Sequence, residues 1–87
     1  MKETWILGIH ISDREKETRL VQSILTKFGC SIKTRLGIHD TDEEDSSPSG
    51  LILLELTGAD SLEFLKLENE LLKIDGIEVK KMVFKPV

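Results

Sequence analysis

The chain has 87 residues, 39% hydrophobic and 32% charged, with a formal net charge of -4; this balance excludes disordered and membrane-embedded classes and fits one small globular domain over 1–87. Cys30 is the only cysteine, which excludes an intrachain disulfide and the stapled secreted scaffolds, and no apolar run approaches the roughly 20 residues a bilayer requires. Modest acidity gives no broad attraction for nucleic acid or anionic membrane, and the amino terminus lacks a signal-peptide cleavage site, so a cytoplasmic protein is expected.

The first element is a strand from Trp5 to Ile11. Trp5, Leu7, Ile9 and Ile11 alternate onto one face, the expected core face, and Ile6, Gly8 and His10 onto the other. Ser12 and Glu15 have the S-x-x-E form of a capping box, in which side-chain oxygens accept from the free backbone donors of a helix start. The helix that follows is marked by Leu20, Val21, Ile24, Leu25 and Phe28, spaced by one, three and four. Gly29 is placed to end it in a left-handed conformation.

A second strand is expected where Ile32, Thr34, Leu36 and Ile38 alternate with Lys33, Arg35, Gly37 and His39. On this reading the second group forms the polar, exposed face. The stretch DTDEEDSSPSG from Asp40 to Gly50 is polar and aperiodic, which predicts a surface loop. A third strand over Leu51 to Thr57 carries apolar residues on both faces, so it is expected in the sheet interior.

Asp60 and Glu63 repeat the capping-box pattern before a second helix. That helix is apolar over a broad arc, because Leu65 and Leu72 flank the group formed by Phe64, Leu67, Leu71 and Ile74. Asp75-Gly76 signals a turn. A last strand runs from Ile77 to Phe84, with Ile77, Val79 and Val83 opposite Met82 and Phe84, and with Lys81 interrupting the first set.

The order strand, helix, strand, strand, helix, strand, with right-handed crossovers, predicts an α+β sandwich: a four-stranded antiparallel sheet in the order 4-1-3-2 with both helices on one face. Ile6, Leu51, Leu53, Met82 and Phe84 then fall on the helix-free face. A continuous apolar patch there is costly in a monomer and useful in a dimer, so a homodimer or higher homo-oligomer is expected.

The segments WILGIHISDREKETRLVQSILTKFG, CSIKTRLGIHD with its R-x-G, and LENELLKIDGIEVKKMVF resemble the iron-only hydrogenase system regulators, a family with an ACT-like, ferredoxin-like fold. The resemblance covers nearly the whole chain and is carried by patterning, the Asp13-Arg14 pair and Gly37. It implies a regulatory module. ACT-like domains typically bind amino acids or similar small molecules at subunit interfaces near the first strand-to-helix turn, which implies a small-molecule effector or a protein partner. The chain departs from the pattern in its longer acidic loop and in HISDREKE, which lacks the glycine-bearing effector loop of amino-acid-sensing ACT domains.

Four residues are the candidate ligand contacts. Asp13 and Arg14 stand at a helix start, where free amides hold anionic groups and a guanidinium clamps a carboxylate in bidentate fashion; a cap residue beside a solvated charge explains them more simply. Arg35 supplies a donor fork and Gly37 permits close approach of a ligand; a bulge or a packing need is the plainer account of the glycine. His10 and His39, with Cys30 or Glu55, are donors for a soft divalent metal, but they lack tight ligand spacing and no metal or other cofactor is expected. The loop acids do not match an EF-hand register. No nucleophile-base or paired-carboxylate arrangement is legible, and the glycine-rich anion cradle of acylphosphatases is missing, so no catalysis is expected. The alternatives to an effector-binding regulator are a constitutive structural module and a metal-responsive regulator.

Overall fold

The computed structural model describes residues 3–11, 15–39, 50–58 and 61–86. Strand β1 (Thr4–Ile11) leads to helix α1 (Glu15–Lys27), a short 3-10 helix (Gly29–Ser31), strands β2 (Ile32–His39) and β3 (Gly50–Leu56), helix α2 (Ser61–Leu72) and strand β4 (Ile77–Phe84). All strand pairs are antiparallel and the sheet order is β2-β3-β1-β4, the predicted 4-1-3-2 order read from the other edge. Ser12, Asp60 and the acidic stretch 40–49 lie outside the described residues.

Alternation decides which side of each central strand is buried. Trp5, Leu7, Ile9 and Ile11 of β1 and Ile52, Leu54 and Leu56 of β3 are all buried. Against them pack Val21 and Leu25 from α1, Phe28 just past its end, and Phe64, Leu67 and Leu71 from α2. The Trp5 and Phe64 rings meet in a tilted arrangement, centroids 5.5 Å apart and planes at 59°. Ile24, Ile32, Ile74, Ile77 and Val79 close the margins of this core.

Two expectations need correction. Gly29 is not a left-handed cap: positive φ among the described glycines occurs at Gly58 and Gly76. The chain leaves α1 through Phe28 at φ -102° and ψ 20° into the 3-10 helix, where the Ser31 amide donates to the Phe28 carbonyl at 2.9 Å. That tighter turn satisfies a terminal carbonyl and places Ser31 in the interior, so no left-handed residue is needed.

The second correction concerns β2. Ile32 pairs with Leu56, but Thr34 pairs with Glu55, so the register shifts across Lys33. One extra residue against its partner strand reverses the alternation beyond it. Arg35 and Gly37 therefore align with the buried Leu54 and Ile52 on the helix-facing side, and Leu36 aligns with Leu53 on the helix-free side. The predicted exposed face of this strand is inverted.

Candidate functional site

Of the four predicted contacts, Asp13 and Arg14 lie outside the described residues. Arg35 and Gly37 sit two positions apart on the same side of edge strand β2. That side faces the helix layer, yet both residues are exposed, because the buried core ends at Ile52 and Leu54 of the neighbouring strand. A Cβ built on Gly37 meets nothing within 4 Å. Gly37 is paired regularly with Ile52, and the bulge falls at Lys33, so the glycine is not there to make a bulge. Among the described residues Arg35 has no ion-pair or hydrogen-bond partner. The pair thus forms a ledge: an unengaged five-donor guanidinium beside a strip of bare backbone, open to a planar anionic group.

His10 pairs with Leu51 in the helix-free row, and the side chain of His39 lies outside the described residues. Glu55 lies opposite Ile6, four residues along β1 from His10, or about 13 Å at strand rise. Cys30 is exposed in the 3-10 helix beyond the far end of β2. Among the described residues no three His, Cys, Asp or Glu side chains converge as a metal group.

A feature not legible in the sequence is an open hollow of about 550 Å³ between the end of α1 and the outer side of α2. Phe28 and Ser31 form its floor, and Lys27, Lys66, Asn69 and Lys73 stand around it. Its charges are partly spent on each other: Lys27 Nζ bonds both Glu70 oxygens at 2.9 and 3.1 Å, and Lys66 bonds Glu63 at 3.2 Å. Long side chains from separate elements make the hollow, so no local motif announces it.

The helix-free side of the sheet is the other surface of interest. The register arranges it in rows: Met82, Ile6, Glu55 and Thr34; then Lys80, Gly8, Leu53 and Leu36; then Glu78, His10, Leu51 and the position of Ile38. Phe84 and Thr4 extend it at one end. Thr34 Oγ1 donates to Glu55 Oε1 at 2.9 Å, which supplies the central carboxylate with a partner inside the face. Sequence reasoning missed Leu36 here, because its place depends on the bulge.

No protein-family model and no curated protein matches the chain. Solved structures do. The ACT domain from GTP pyrophosphokinase of Chlorobium tepidum aligns over 94% of this chain and 100% of its own, with 17% identity and a TM-score of 0.71, a likeness of fold. A formyltetrahydrofolate deformylase from Pseudomonas putida shares the fold over 91% of this chain but only 28% of its own, with 16% identity and a TM-score of 0.57. The uncharacterized protein TM1266 from Thermotoga maritima is 32% identical over 98% of this chain and 100% of its own, with a TM-score of 0.83. On that identity and coverage the chain belongs to one family with the Thermotoga protein, built on the ACT-like, ferredoxin-like fold.

Proposed function

We propose that this protein is a non-catalytic regulatory module that binds a small carboxylate-bearing effector and works as an oligomer of ACT-like domains. The ACT-like fold is typical of regulatory ligand-binding modules, and the observation that carries the reading is the ledge on β2. Arg35 is exposed without a partner among the described residues, next to Gly37, where a Cβ would meet open space. A guanidinium in that state has its bidentate capacity available for a carboxylate. Asp13 and Arg14, between β1 and α1 in the chain, are proposed as further ligand contacts. The finer reading, membership of the iron-only hydrogenase system regulators, rests on the segment resemblance and on the agreement of fold.

Support for a non-catalytic role is geometric. His10 and Cys30 lie near opposite ends of the sheet, about 17 Å apart along the strands, too far for a nucleophile and its base. No helix among the described residues is long and apolar enough to cross a membrane; with the acidic charge, a cytoplasmic role without direct nucleic-acid contact is proposed. A metal-responsive regulator is disfavoured by the distance of His10 from Glu55 and Cys30, about 13 Å or more along the strands. The apolar helix-free face favours one alternative, a constitutive assembly module with no ligand.

Isothermal titration of demetallated protein with pooled amino acids and divalent metals separates these readings. Saturable binding that weakens at least about tenfold in Arg35→Ala, the loss of one charge-assisted contact, supports the effector-binding module. Absence of heat and of thermal shift across the panel favours the constitutive one.

A further inference from the structure

We propose that the helix-free face of the sheet is the surface on which a second copy of this chain docks, sheet against sheet. The inference deepens the oligomeric part of the reading above, and it rests on what β2 adds to the face. Leu36, Met82 and Phe84 are each more than half exposed, at 53%, 57% and 53%. Ile6, Leu51 and Leu53, half-buried, lie between them on the central strands. The bulge at Lys33 turns Leu36 to this side and Arg35 away from it, so the β2 edge contributes an apolar residue in place of a cation. Gly8, with no side chain, keeps the middle of the face low beside Leu53, a shallow seat for a facing side chain.

The dimensions fit a second copy. Four strands of seven or eight residues span roughly 19 by 25 Å, on the order of 480 Å² in projection before side-chain relief is counted. That approaches the low end of what each partner contributes to a standard interface, about 600 to 800 Å². The charge pattern fits too. The whole chain carries -4, but this face bears Lys80, Glu78 and Glu55, close to neutral. Lys80 and Glu78 pair with each other at 3.7 Å on the β4 rim, and Glu55 accepts from Thr34. Of the three charges only Glu55 stands on a central strand, and its bond to Thr34 gives it a partner within its own face, so two such faces meet with apolar residues at most positions and the Lys80-Glu78 pair at the rim. A basic excess, which nucleic acid or an anionic membrane surface would need, is missing.

The rival surface is a stripe on α2, where Leu62, Leu65 and Leu72 are exposed. It is a single helix ridge interrupted by the exposed Asn69, narrower than the four-stranded face.

Light scattering and sedimentation equilibrium from micromolar to millimolar concentration decide between them, with circular dichroism confirming that each variant is folded. Wild type is expected to be dimeric. The double variant Leu36→Lys/Met82→Lys, at positions already exposed in the chain, is expected to raise the dissociation constant at least about a hundredfold, while Leu65→Lys/Leu72→Lys leaves it unchanged. A dimer insensitive to the sheet substitutions, or one broken by the helix pair instead, overturns the face but leaves the oligomeric regulator standing. A strictly monomeric wild type overturns both the face and the oligomer.

Discussion

The ammonium of Lys81 lies 4.4 Å from the centroid of the Trp5 ring. The same group bonds Glu68 Oε1 at 3.0 Å, so one lysine ties β4 to α2 across the indole. Lys81 pairs with Leu7 on the helix-facing side, flanked there by Val79 and Val83. A charge interrupts that apolar row because its stem lies along the ring and its head reaches the helix.

Replacing Lys81 by Met keeps the stem and removes the charge. The expected loss is about 0.5 to 1 kcal/mol, from a partly exposed ion pair and cation-π contact. Lys81→Ala also uncovers the ring and is expected to lose about 1 to 2 kcal/mol in total. Urea midpoints with unchanged slopes measure both. A Met variant as stable as wild type would show that the charge contributes nothing.

Gly76 has φ of 89°, and a Cβ built there lies 3.3 Å from Glu17 Oε1. Gly76→Ala therefore meets both a left-handed backbone and a crowded carboxylate. The expected cost is about 1 to 3 kcal/mol. If crowding contributes, adding Glu17→Ala recovers part of that cost but not the backbone share. Full recovery in the double variant, read as its urea midpoint against that of Glu17→Ala alone, would remove φ from the explanation.

Gly8 is the contrasting case. Its φ is not positive, and an added Cβ would meet Leu53 Cδ2 at 3.7 Å, ordinary contact. Gly8→Ala is expected to leave monomer stability unchanged or raise it by up to about 1 kcal/mol, because alanine loses less backbone entropy on folding. In the dimer proposed above it fills the seat at the centre of the face and weakens association. Thermal unfolding at concentrations where the chain is monomeric should hold or rise while sedimentation at higher concentration shows weaker association; a clear drop in monomer stability would contradict the geometry.

Glu3 gives the pH dependence. Its carboxylate accepts from Lys85 Nζ and, at 2.9 Å, from the Trp5 indole, and these bonds hold its pKa below the ordinary carboxylate value. A carboxylate with a depressed folded pKa stabilises the protein above its unfolded value, and loses that contribution as pH falls through the folded one. The stability gap between wild type and Glu3→Gln is thus expected to be present near neutrality and to close as the pH falls through the lowered folded-state value. Urea midpoints across that range test it. A gap that stays constant with pH would show that the carboxylate is not the source.

Phe64 tests the core. It is fully buried, its ring tilted against that of Trp5, so Phe64→Ala is expected to cost about 3 to 5 kcal/mol, a large share of the stability of a domain this size. Leu72, exposed at the end of α2, is expected to change stability by no more than about 0.5 kcal/mol when replaced by Ala. Similar losses at both positions would contradict the placement of α2's buried face.

Much of the architecture could be read from residue spacing. The period-two alternation of β1 and β3 announced the buried rows that the register contains, that of β4 marked Ile77 and Val79 at the margin of the core, and the apolar spacing around α1 marked Val21, Leu25 and Phe28. Topology followed from element order, since right-handed crossovers leave few sheets to choose from. These signals are local, carried by neighbours along the chain. The face of β2 and the exit from α1 were decided elsewhere. Nothing about Ile32, Lys33 or Thr34 requires a bulge; it arises because Ile32 enters the core beside Leu56 while Thr34 bonds Glu55 on the opposite side. Gly29 permits a left-handed cap, but the 3-10 turn that delivers Ile32 to the core takes its place. Arg35 and Gly37 were thus identifiable as a pair from the sequence, while their side of the sheet depended on pairing with a strand about twenty residues away.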